Sequence, residues 1–129
     1  METGIRGRIE TVVTQKESAK TLGSGLLDVY ATPAMIALME GCASQSVAPY
    51  LDEGCGTVGT AVNIRHLAAT PIGMKVYCES ILTEVDGRRL LFNVKAYDET
   101  GLIGEGTHER FIINSEKFFA KVNAKKAAE

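Results

Sequence analysis

Residues 30–51 read YATPAMIALMEGCASQSVAPYL, and this stretch decides the architecture. Pro33 suits a first helical position, where its missing N–H costs nothing, and Thr32 before it is a good N-cap. Met35, Met39, Cys42 and Ser46 then recur at helical spacing, with Ile36, Ala43 and Val47 beside them. Ala34, Ala37 and Leu38 widen the apolar surface almost all the way round, and Pro49 ends the helix near Tyr50 and Leu51. A helix of this kind is enclosed by other elements. Glu40 at its centre therefore needs an explanation, because a carboxylate taken out of water requires a partner.

Around the helix the pattern is that of strands. Residues 7–15 (GRIETVVTQ) form a first strand rich in β-branched residues. Residues 16–28, with Ser18, Gly23, Ser24 and Gly25, read as a loop long enough to act as a lid. After the helix, residues 57–68 alternate: Val58, Thr60, Val62, Ile64 and His66 share one face, Asn63 and Arg65 the other. TPIG (70–73) is a turn, residues 74–85 a second long strand, and Asp86-Gly87 a hairpin signal. Residues 88–97 place Leu90, Phe92, Val94 and Ala96 inward; DETG (98–101) turns again, and residues 102–113 make the last strand. Ser115 caps a short terminal helix docked by Phe118, Phe119 and Val122, and the final AKKAAE frays. One strand, one long helix and four strands joined by short turns predict a single α+β domain over residues 1–129. Its antiparallel sheet of about five strands curls around the helix, which is the hotdog fold. The free sheet edges of such a fold predict a homodimer.

Composition narrows the function. Charged residues are 23% of the chain, the net charge is −2 and there is no Trp, which argues against a nucleic-acid surface. Cys42, Cys55 and Cys78 are odd in number and scattered, so neither a disulfide framework nor a zinc site is expected. No apolar run is long enough to span a membrane and no signal peptide is recognisable, so a cytoplasmic protein is the expectation.

Three segments, ATPAMIALMEGCASQSVAPYL (31–51), GTVGTAVNIRHLAATPIGMKV (56–76) and GEGTHERFIINSEKFFAKV (104–122), resemble the fluoroacetyl-CoA thioesterase type of hotdog protein. The resemblance runs from about Val29 to Val122. It implies that Thr32, Glu40 and His66 act together in catalysis and that Gly59 lies close to the thioester carbonyl. It also implies an acyl-CoA substrate, with CoA part of that substrate and no separate cofactor or metal. The family's fluoroacetyl-specific enzyme gates its acyl group with lid phenylalanines. The corresponding stretch here, LGSGLLD, has none, which points to a short- or medium-chain acyl-CoA thioesterase.

Each residue also has a plainer reading. Glu40 could face solvent through a gap in the helix, His66 could be a core histidine bonded to a carbonyl, and Thr32 could serve only as a cap. The functional readings rest on chemistry: imidazole titrates near neutrality, and a helix start offers orphan N–H groups and a positive dipole end to an oxyanion. Eight residues separate Thr32 from Glu40, roughly 12 Å along the axis and roughly 80° in azimuth. They cannot touch within one helix: either His66 and water bridge them or the site combines groups from two subunits. The resemblance to hotdog proteins, whose active sites generally lie at dimer interfaces, implies the shared site. Arg110, Lys117 and Lys121 are candidates for the CoA phosphates, against the alternative of solvated surface charge. The competing functions are a non-catalytic acyl-CoA-binding hotdog dimer and hydration or dehydration of an enoyl thioester.

Overall fold

The computed structural model describes residues 1–127 of the chain. Its elements are β1 (Arg6–Val12), a 3₁₀ turn at Gln15–Glu17, α1 (Ala19–Leu22), α2 (Thr32–Val47), β2 (Cys55–His66), β3 (Lys75–Asp86), β4 (Arg89–Asp98), β5 (Gly101–Asn114) and α3 (Ser115–Asn123). The five strands form one sheet in the order β1-β3-β4-β5-β2, antiparallel throughout. The sheet wraps around α2, as a hotdog fold requires.

The core lies between α2 and the inner face of the sheet. Met35, Met39, Cys42, Ala43 and Val47 of the helix meet Val76, Cys78 and Leu82 of β3, Leu90, Phe92, Val94 and Ala96 of β4, and Ile103 of β5. The period-2 pattern of β4 is thus realised as read. At Gly7, β1 passes so close to the helix that an added Cβ would lie 2.7 Å from Ser46 Cβ and 2.9 Å from the Cys42 carbonyl.

Five expectations are corrected. The short β2–β3 connection is not a hairpin: β2 pairs only with β5, at the far edge, so residues 67–74 cross the end of the sheet. Thr70 anchors that crossing by donating its hydroxyl to Asp98 Oδ2 at 2.8 Å. Residues 16–28 are not a plain loop. The 3₁₀ turn and α1 fold them into a strap whose ends are tied by Ala19 N–H to Val29 O (2.8 Å) and Gln15 Nε2 to Asp28 Oδ1 (2.8 Å), with Leu26 and Leu27 exposed at the tip. The N-cap of α3 is Asn114, whose side chain accepts from Lys117 N–H, because the strand runs one residue further than expected. That helix is not docked: none of its residues is buried, and Phe118, Phe119 and Val122 are exposed. Finally, α2 is not enclosed on every side; Pro33, Ala37 and Gln45 are exposed. Of the tail expected to fray, residues 124–127 form a further 3₁₀ turn, and the last two residues lie outside the described part.

Gly7→Ala tests the packing. The contacts include helix backbone, which cannot yield as a flexible side-chain tip can, so the substitution should destabilise by about 1–3 kcal/mol. Thermal unfolding is the measurement.

Candidate active site

Two clusters of polar side chains face the helix side of the sheet, one at each end of β2. The first joins the start of α2 to the end of β2. Thr32 Oγ1 lies 2.8 Å from His66 Nδ1. Thr32 is therefore not the N-cap. It is the first helical residue, Ala31 occupies the cap without a side-chain bond, and the hydroxyl turns to the imidazole instead. The start of α2 is left without a side-chain cap, its dipole end unneutralised. Thr32 and His66 line a cavity of about 290 Å³ with Ala19, Ser24, Tyr30 and Leu67. His66 Nε2 is buried without a hydrogen-bond partner. Burial holds the His66 pKa below the ordinary histidine value; the nearby Ala68 backbone opposes this in part.

The second cluster answers the question posed by Glu40. Its Oε2 lies 3.6 Å from Arg110 Nη1 and 3.9 Å from His108 Nε2. Arg110 is 7% exposed and His108 1%. The guanidinium also donates to Thr57 Oγ1 and to the Thr57 carbonyl, both at 2.8 Å, and reaches His108 Nε2 at 3.1 Å. His108 Nδ1 is 2.8 Å from the Ala61 carbonyl, which can only accept. Nδ1 therefore carries the proton and Nε2 accepts from Arg110: a neutral imidazole in a fixed tautomer. Burial lowers the His108 pKa first, the Ala61 carbonyl opposes it, and the Arg110 charge lowers it further. Glu40 is thus the counter-charge of a nearly buried guanidinium, while 42% of its own side chain stays exposed.

Gly59 completes this cluster because β2 contains a bulge. Gly59 pairs with Arg110 and Ala61 with Glu109, leaving Thr60 as the extra residue. The slip reverses the alternation read from sequence: Val58 and Thr60 move to the outer face, and Thr60 Oγ1 bonds Glu109 Oε1 at 2.7 Å. Thr57 and Gly59 come inward, in phase with Val62, Ile64 and His66. A Cβ on Gly59 would stand 2.5 Å from Glu40 Oε2 and 3.1 Å from His108 Cε1.

The structure therefore brings Glu40 to Gly59 and Arg110, and Thr32 to His66, but joins the two clusters by no hydrogen bond or ion pair among the described residues. Arg110 does not reach outward for phosphates as expected; its donors are spent inside. His108 carried no role in the sequence reading. The available signal was its place two residues before Arg110 on the same inward-facing phase of β5. Among the described residues, no group of three or more His, Cys, Asp or Glu side chains is placed to hold a metal ion.

Residues 13–116 match the family model of the fluoroacetyl-CoA-specific thioesterase. The chain belongs to that family. It is 48% identical over 101 residues to the fluoroacetyl-CoA thioesterase of Streptantibioticus cattleyicolor, covering 78% of this chain and 73% of that protein. A solved structure of a fluoroacetyl-CoA thioesterase superposes with a TM-score of 0.92 at 40% identity, covering 97% of each chain. A Thermus thermophilus member of the thioesterase superfamily matches with a TM-score of 0.88 at 33% identity, over 99% of this chain and 97% of that one.

Two predictions follow from the geometry. Gly59→Ala should push the Glu40 carboxylate, a flexible tip, out of place. Thioester hydrolysis should fall on the order of 100-fold, with only a small change in melting temperature. Second, His66 and His108 bind protons less readily folded than unfolded. Between their lowered values and the ordinary value of about 6.5, the unfolded chain holds more protons. Stability should therefore fall as pH drops below about 6.5 and be regained above it, as read by denaturant unfolding across pH 5–8.

Proposed function

We propose that this protein hydrolyses short- or medium-chain acyl-CoA thioesters to the free acid and CoA, in a site shared by two copies of the chain. It is an acyl-CoA thioesterase of the hotdog fold, as its family membership requires. The single observation carrying the chemical reading is the hydrogen-bonded Thr32–His66 pair, whose buried Nε2 has no partner, on a cavity of about 290 Å³. Such a volume suits a small acyl group.

The second subunit is called for by distance. His66 and Gly59 lie about six strand steps apart once the bulge is discounted, roughly 20 Å. Strand β2 is an unpaired edge, and residues 59–63 along it are all exposed. Antiparallel pairing of two β2 edges about an axis near Asn63 would set Gly59 and Glu40 of one protomer beside Thr32 and His66 of the other.

In such a site the acyl carbonyl lies at the uncapped start of α2, where the Thr32 hydroxyl and the helix dipole stabilise the developing oxyanion. Glu40, held by Arg110, acts in one of two ways. As general base it removes a proton from water, and the oxygen attacks the carbonyl carbon. As nucleophile it attacks directly to form an anhydride, which water then opens. In both, the C–S bond breaks and sulfur leaves with the electron pair as CoA thiolate. The proton it takes up through His66 comes from the attacking water in the first route and from the water that opens the anhydride in the second. The net reaction consumes one water. Lys117 and Lys121 are surface cations available to the CoA phosphates. Three free cysteines accord with a reducing cytoplasm.

The test is thiol release from a panel of acyl-CoAs. Glu40→Gln and His66→Ala should each lower kcat/KM by about 10²–10⁴-fold; wild-type rates in both would remove these residues from the reaction. Single turnover in ¹⁸O-water tests for the anhydride: label transferred to the Glu40 carboxylate requires it, because attack of water on the thioester itself places label in the released acid alone. Because His66 must be neutral to receive the proton it relays, and its pKa is lowered, kcat/KM should decline on acidification with a midpoint below about 6.5. His66→Ala should flatten that limb.

A further inference from the structure

The terminal helix has no buried residue although it carries a compact apolar face. Phe118, Phe119 and Val122 fall within an arc of about 100°, and all three are exposed, Phe119 by 66%. Lys117 and Lys121 lie on the flank of that arc. The helix is rooted firmly: Ser115 N–H bonds the Gly54 carbonyl at 2.9 Å, and a Cβ on Gly56 would touch Ser115 Oγ at 3.3 Å. Its root is thus the Cys55 end of β2.

The acyl cavity lies at the other end of that strand, beside His66 and Leu67. It is open, and the exposed apolar residues nearby are Leu67 and, on the strap, Leu26 and Leu27. The length of β2 separates root and cavity by roughly 33 Å. The nine residues of α3 span about 14 Å. The helix cannot reach the cavity of its own chain.

We propose that α3 of each protomer closes the acyl cavity of the other, seating Phe118 and Phe119 against the partner's Leu67, Leu26 and Leu27. The proposal rests on the shared-site reading above. Antiparallel pairing of the β2 edges near Asn63 brings the Cys55 end of one strand to about the partner's Ala69 and Thr70, next to the cavity mouth. A second copy is the occupant because the helix is continuous with that edge and the two apolar surfaces, each uncovered in one chain, then cover each other. Acyl-chain length is accordingly selected by residues of both subunits, with α3 as a wall supplied in trans.

Two measurements decide it. In a Cys55→Ser background, Leu67→Cys combined with Phe119→Cys should give a covalent dimer under mild oxidation, seen on a non-reducing gel. Separately, Phe119→Ala should keep the wild-type mass in solution and change the ratio of kcat/KM between long and short acyl-CoAs by roughly tenfold. A dimeric protein that yields no interchain crosslink, or an unchanged ratio, overturns the role of α3 and leaves the shared site standing. A wild-type protein that is monomeric and active overturns both.

Discussion

A nearly buried guanidinium that must be neutralised governs the middle of this molecule. Arg110 points from β5 toward the helix, and its donors are used by Thr57, His108 and Glu40. Removing a charge from water costs several kcal/mol unless partners replace the solvent. The carboxylate in an otherwise apolar helix is the charge that does so. The same interaction keeps Glu40 in one orientation while leaving part of it open, which a reacting carboxylate needs.

That arrangement depends on a backbone irregularity. With regular alternation along β2, Gly59 would face away from the helix and a side chain would fill the space before Glu40. The extra residue at Thr60 turns Gly59 inward and frees that space. Sheet register and local chemistry are here one fact: moving the bulge by one residue would exchange a vacancy for a clash.

Much of the architecture was legible in the residues. The strand and helix periods, the proline at the start of α2 and the inward set of β4 gave element order and core, because burial imposes a period that composition cannot hide. What was not legible followed from long-range geometry. A bulge leaves no mark in a stretch such as TVGTAV, so the faces of Val58 and Thr60 were assigned the wrong way round. Thr32 has the chemistry of a cap, and only the position of His66, 34 residues later, draws its hydroxyl elsewhere. Arg110 is a cation near a chain end, which suggests solvent until β2 is seen to lie against it. His108 went unassigned for the same reason: its partners, Ala61 and Glu40, come from other elements. The docking expected of α3 failed because the apolar face is real but none of it is buried among the described residues.

The strap between β1 and α2 carries a different kind of consequence. It is fastened at its base by backbone and side-chain bonds, while Leu26, at 90% exposure, contributes almost nothing to the interior. Replacement at its tip is therefore nearly free of folding cost, whereas replacement at Gly7 or Arg110 is not. Over evolutionary time a lineage built this way can drift in what it accepts while keeping how it reacts, and duplicated copies can diverge toward new diets without first having to relearn how to fold.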